Sequence, residues 1–184
     1  NLDNILNIIL SKVVNLVGAE RGFIALTNEK GMILQESIVV HNLPQYQNEM
    51  QEFFFSHSTV QRAIQNRENV FIILDENEDE VSLSHSMAVL ELQSVMCSPL
   101  IFNNKLVGIL YVDSGYQLTD FNERDQLFFT MMSDYAAIAI ENAKMYSHMQ
   151  KSINQLRAEV FESEEKYHHT LETAPDPIAV IRLK

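Results

Sequence analysis

The chain has 184 residues, 46% of them hydrophobic, and a formal net charge of −12 at neutral pH. That size and apolar content suffice for one packed domain plus an extension. The acidic balance, with no run of Lys or Arg, excludes recognition of nucleic acid or an anionic membrane through phosphate contacts.

A single cysteine, Cys97, rules out an internal disulfide framework and fits a reducing compartment. No apolar stretch reaches the roughly 18 residues that a membrane span needs. The chain starts at Asn1 without a signal-peptide pattern, and so reads as a cytoplasmic piece of something longer.

Residues 1–18 place Leu2, Ile5, Leu6, Ile9, Val13 and Leu16 at helical spacing, and Gly18 closes the run. The β-rich runs 21–27 and 32–40 flank the turn Asn28-Glu-Lys-Gly31 and predict a hairpin. After a mixed stretch, 41–57, with Pro44 and Phe53-Phe54-Phe55, Ser58 or Thr59 is placed to cap a short helix through Asn66. Val70-Phe-Ile-Ile-Leu74 reads as a buried strand closed by the acidic loop Asp75-Glu-Asn-Glu-Asp-Glu80, and 86–92 as a short helix.

The runs 94–102 and 105–113 flank Asn103-Asn104 and predict a second antiparallel hairpin with a short turn. Pro99 lies inside its first strand, which places it at an edge or a bulge. A helix starting at Asp120 continues for some forty residues. This order of elements is α+β with a central antiparallel sheet. A hairpin feeding a long helix suits a sensor whose state is passed along the chain better than it suits an active site.

Five segments in register carry a family resemblance: Ala19-Glu-Arg-Gly-Phe-Ile-Ala-Leu26, Ser94-Val-Met-Cys-Ser-Pro-Leu100, Leu106-Val-Gly-Ile-Leu-Tyr-Val-Asp113, Phe121-Asn-Glu-Arg-Asp125 and Ala136-Ala-Ile-Ala-Ile-Glu-Asn-Ala143. Together they resemble a GAF domain over residues 1–146. The resemblance implies a six-stranded antiparallel sheet with helices on both faces, the terminal helices on one and a small-molecule pocket under loops on the other. A long C-terminal signalling helix extends this fold. The tail Glu164-Glu-Lys-Tyr-His-His-Thr-Leu-Glu-Thr-Ala-Pro-Asp-Pro-Ile-Ala-Val-Ile181 resembles the beginning of a PAS domain. Residues 147–168 are then a coiled-coil linker, and 169–184 a truncated PAS start.

The linker can be read from its residues alone. Ile138, Asn142, Met145, Met149, Ser152, Leu156 and Val160 alternate steps of four and three through Leu156, a heptad seam closed by a step of four to Val160. Met149, Ile153, Leu156 and Val160 form a second stripe that shares the distal half. Beyond about Ile140 no sheet remains to cover these side chains, so an exposed apolar seam calls for a partner. Asn142 in the seam favours a parallel homodimer in one register, formed through the terminal helices.

The chemistry-bearing residues do not converge. Cys97 alternates within a strand, without a basic neighbour or helix N-terminus to activate it, and reads as a buried structural thiol. GAF relatives that reduce methionine sulfoxide use further cysteines, and those that attach a bilin carry a Cys near 56–92, where this chain has none. Ser56-His57-Ser58 and Ser84-His85-Ser86 lack the orienting group and oxyanion donors that hydrolysis needs. His168-His169 lacks the surroundings of a kinase phosphoacceptor helix. No histidine pair has metal-ligand spacing, so no metal is expected. The acidic loop fails as a calcium loop at Glu80 and Ser86 and reads as a solvated loop or a lid.

Cyclic-nucleotide relatives carry Asn-Lys after the last strand, then Phe, then Asp-Glu at the helix start. Here those positions read Asp113-Ser114, Leu118 and Asn122-Glu123, and only the Glu is kept. Strand parity and loop position nominate His41, Tyr46, Phe71, Ser94, Met96, Ser98 and Tyr111 as ligand-facing residues. The resulting expectation is a cytoplasmic small-molecule sensory and dimerisation module of a bacterial signalling protein. It would relay its state to PAS and output domains, a histidine kinase first and a nucleotide cyclase next. The alternatives are a ligand-free dimer spacer, a cyclic-nucleotide module and, last, an enzyme.

Overall fold

Helix α1 (Leu2–Val17) opens a computed structural model that describes residues 2–42, 55–73, 92–115 and 121–173. Its apolar stripe buries Leu6, Leu10, Val13, Val14 and Val17, while Leu16, expected in that stripe, is exposed. Gly18 ends the helix at φ +68°, which lets the Ala19 N–H reach back to the Val14 carbonyl at 3.0 Å.

Strands β1 (Arg21–Leu26) and β2 (Val39–His41) pair antiparallel, with Phe23 opposite Val40. The expected continuous strand over 32–40 is interrupted by a 3₁₀ turn at Gln35–Ser37. The reason is the Ser37 hydroxyl, which accepts the Leu26 N–H at 2.9 Å and donates to the Leu34 carbonyl at 2.7 Å. A side chain thereby replaces a ladder partner. Helix α2 (His57–Asn66) has Ser56 at its N-cap position, ahead of the expected Ser58 or Thr59, and Arg67 in the left-handed region at its end.

Strands β3 (Val70–Ile73), β4 (Leu92–Phe102) and β5 (Lys105–Gly115) follow. Asn103 and Asn104 both take positive φ, 48° and 63°, which fits the tight β4–β5 turn and its strand twist. Pro99 lies two residues beyond Cys97, the last β4 residue paired with β3, and just ahead of a register shift at Leu100/Ile101. Its missing N–H therefore costs the β3 ladder nothing.

Helix α3 (Glu123–Thr173) starts three residues later than expected because Asn122 caps it. The Asn122 Oδ1 accepts from the Arg124 and Asp125 N–H groups at 2.8 and 3.2 Å, and Asp125 Oδ2 accepts the Asn122 N–H at 3.0 Å. The helix runs five residues past 168, and 174–184 lie outside the described residues. Two units are separable, Asn1–Ala143 and Lys144–Lys184.

The sheet is antiparallel in the order β2-β1-β5-β4-β3. Among the described residues it has five strands, where the resemblance implied six; the five are those visible as β-rich runs in the sequence. Alternate residues of its strands enter two separate cores. Ile24, Met96, Leu100, Leu110 and Val112 pack with α1, Phe121 and the first turns of α3. Phe23, Ala25, Val95, Cys97, Ile109 and Tyr111 pack with Phe55 and α2.

Gly22 is dictated by this layering. A Cβ there would lie 2.6 Å from the Tyr111 carbonyl oxygen and 2.9 Å from Val112 Cγ1, with Leu10 of α1 above it at 3.4 Å. Gly22→Ala should cost about 1–3 kcal/mol through forced strand displacement. Urea denaturation followed by circular dichroism checks this, and a change under about 0.5 kcal/mol, the size of an ordinary surface substitution, would contradict it.

Candidate functional site

The α2 face of the sheet holds an aromatic stack above a buried charge. The Phe23 ring stands 4.8 Å from Phe55 and 5.2 Å from Tyr111, centroid to centroid, and Phe55 meets the Tyr111 edge at 5.9 Å. His57 stacks on the outer side of Phe55 at 4.3 Å. Strand periodicity places Phe23 and Tyr111 opposite one another on β1 and β5, while Phe55 arrives from the segment leading into α2. The Tyr111 Oη accepts the Ser56 backbone N–H at 3.1 Å, so the strand side chain holds the start of the helix.

One rung further along β5 lies Asp113, opposite Arg21. Arg21 Nε donates to Asp113 Oδ1 at 2.8 Å, with the arginine side chain 18% exposed and the carboxyl wholly buried. Asp113 Oδ2 has no hydrogen-bond partner among the described residues. Burial raises the Asp113 carboxyl above its ordinary value; the Arg21 guanidinium pulls it back, the Tyr111 hydroxyl helps, and Glu20 opposes. Burial, reinforced by the Asp113 charge, pushes the Tyr111 hydroxyl well above the ordinary phenol range. Cys97, opposite Tyr111, is also buried, and desolvation pushes its thiol up, away from nucleophile chemistry.

The six nominated ligand residues that are described do not gather at this site. Of these six, only Tyr111 belongs to it. Met96 and Phe71 pack in the opposite core, where Phe71 meets Phe129 of α3 edge-on at 6.3 Å. Ser98 bonds Asn69 on that same side, and Ser94 is buried opposite Ser114. His41 is half-buried opposite Gly22, and Tyr46 lies outside the described residues. The reason is that both faces of β4 and β5 are buried, so polarity along the strands does not mark the open side.

Arg21, Asp113 and Phe23 are the functional candidates that the sequence reading missed. A charged residue at each of two strand ends was the available signal. The Ser56 hydroxyl sits 2.8 Å from that of Thr59 and 3.4 Å from that of Ser58, while His57 stacks on Phe55, so the side chains of this Ser-His segment engage the start of α2 and its aromatic neighbour. Ser84-His85-Ser86 and the acidic loop 75–80 lie outside the described residues. Among the described residues no three His, Cys, Asp or Glu side chains come together as a metal set, and no helix is long and apolar enough to cross a membrane.

On α3 the seam residues Ile138, Asn142, Met145, Met149, Ser152, Leu156 and Val160 are all exposed. The same alternation of three and four extends backwards through Tyr135, Met131 and Phe128, also exposed. Phe129, Ser133, Ala136, Ala137 and Ile140 of the same helix are instead buried.

A family model described as a GAF domain matches residues 1–141. The chain belongs to the GAF domain family. Solved GAF domains share its fold: that of a two-component sensor histidine kinase from Bacillus halodurans is 23% identical, with a TM-score of 0.55, covering 80% of this chain and 98% of that one. The photoproduct state of a third GAF domain from Synechocystis is 15% identical, with a TM-score of 0.60, covering 82% and 99%. The GAF-B domain of DevS from Mycobacterium smegmatis is 14% identical, with a TM-score of 0.58, covering 81% and 99%. No curated protein matches. As a GAF domain the chain falls in a class of sensory, typically non-catalytic modules that bind small molecules.

Because the Asp113 carboxyl is raised from its ordinary 3.8, the folded protein keeps this proton to higher pH than the unfolded chain. The group's stabilising contribution is complete below pH 3.8 and is lost as pH rises through the folded value. The stability difference between native protein and Asp113→Asn, from urea melts, should therefore shift toward the variant as pH rises from 3.8. A pH-independent difference, or a shift the other way, would contradict the assignment. Separately, Tyr111→Phe should cost about 1–3 kcal/mol by orphaning the buried Ser56 N–H, read in the same melts.

Proposed function

We propose that this GAF domain is a small-molecule sensory module that works as a parallel homodimer and relays its state through α3 to PAS and output domains. A histidine kinase is the proposed output. The observation that carries the sensory part is the Arg21–Asp113–Tyr111 group. A wholly buried carboxyl with one oxygen unpaired among the described residues is costly to keep. It sits beside an aromatic stack, where a bound molecule with an N–H or cationic group would meet it. Ligand engagement there would change the packing of Phe55 and Ser56, hence α2, and bias how α1 and α3 pack on the opposite face.

The dimer part rests on the exposed seam. Its heptad spacing suits an identical helix in parallel, and Asn142 would fix the register. The proposed setting is the cytoplasm, in agreement with the reduced single cysteine.

A second reading is favoured by one observation. Phe23, Phe55 and Tyr111 already fill the α2 face with the domain's own side chains, as a ligand-free spacer would. A cyclic-nucleotide module is a third reading; it predicts stabilisation by millimolar cyclic AMP or cyclic GMP in thermal melts.

Replacing Met145, Met149 and Leu156 together by Glu tests the dimer. Sedimentation velocity should show monomers with unchanged circular dichroism of the GAF core. An undiminished dimer would place the interface elsewhere.

A further inference from the structure

The sheet separates α2 from α3, yet a residue in the short junction after α2 bonds directly to α3. Strand β3 is an edge strand, so the short junction between α2 and β3 turns around the rim of the sheet. Helix α2 ends at Asn66, Arg67 caps it, and Val70 already pairs with Cys97. Asn69 therefore stands three residues from the helix and one from the ladder. Its neighbour Arg67 is fixed as well, with Nη1 donating to the Asn104 carbonyl in the β4–β5 turn at 2.8 Å.

The Asn69 amide uses both of its ends. The Ser98 hydroxyl of β4 donates to Asn69 Oδ1 at 2.7 Å, and Asn69 Nδ2 donates to Thr130 Oγ1 of α3 at 3.0 Å. Thr130 Oγ1 in turn donates to the Gln126 carbonyl at 2.9 Å. The chain of donors runs one way, from the sheet through the α2–β3 junction into the first turns of α3. Phe71, on the same face of β3, meets Phe129 beside it, so polar and apolar contacts lie together at one place on the helix.

A partly buried amide bonded at both ends has one favoured geometry, because moving it leaves its two partners unpaired. A displacement of the α2 C-terminus must either break these bonds or carry Thr130 with it. We propose that Asn69 is the positioning residue that couples α2 to α3 around the sheet edge, so that a change on the aromatic face is felt at Gln126–Ser133. The direction of signalling rests on the sensory reading above; the mechanical coupling does not require a ligand.

The test is a double-mutant cycle read by amide NMR of the full chain. Phe55→Ala disturbs the aromatic face just ahead of α2. It should move the amide resonances of Gln126–Ser133 in the native background, and that displacement should fall by more than half when Asn69→Leu is added. Thr130→Val, which keeps the side chain's shape and removes only the hydroxyl, should suppress it equally and guards against a folding defect in Asn69→Leu. Equal displacement in all backgrounds would overturn the coupling, as would a Phe55→Ala change that never reaches these amides. A failed ligand search with the cycle intact would overturn the sensory reading and leave the coupling standing.

Discussion

Everything in this domain depends on the β4–β5 hairpin being buried on both faces. Its two strands occupy the middle of the sheet, and successive residues such as Tyr111 and Val112 enter different cores. Such strands gain apolar burial on both sides, worth roughly 25 cal/mol per Å² of apolar surface removed from water. They leave no solvated face to tolerate a polar side chain, which is why Asp113 stands out. Among the described residues its carboxyl is held in the sheet by Arg21.

Double burial also divides the labour of the two faces. The α1/α3 face is a largely aliphatic core that takes in Phe129, Ala136, Ala137 and Ile140 of α3. The α2 face carries the aromatic stack, the buried charge and a helix held at its start by a tyrosine hydroxyl. A module with one stiff face and one face built on a few breakable contacts can change on the second without dismantling the first. That asymmetry, more than any single group, is what makes a sensory role physically reasonable for this GAF domain.

The framework was legible in the sequence because it rests on strong local signals. Gly18 after an apolar helical stripe, Asn103-Asn104 between two β-rich runs and the order of the described elements survive in the structure, while the short helix expected over 86–92 lies outside the described residues except for Leu92, which belongs to β4. What was not legible depends on long-range pairing. Parity arguments presume one wet face, whereas Met96, Phe71 and Ser98 lie on the α3 side of a sheet whose β4 and β5 are buried on both faces. Ser37 breaking its strand, Asn122 starting α3 late and Asn69 linking three elements are each single polar side chains. Their partners, Leu26, Asp125 and Thr130, become neighbours only through the local turn or the folded sheet. The seam is legible from Ile138 onward, whereas its continuation through Phe128, Met131 and Tyr135 falls where the helix is expected to pack on its own domain.

The central claim is that this chain is a dimeric module that holds a small molecule. Native mass spectrometry of freshly purified protein, without refolding, tests it most directly. The account predicts a species of twice 21.1 kDa carrying additional small-molecule mass. A bare dimer would instead favour the self-filled spacer, and a bare 21.1 kDa monomer would contradict the account outright.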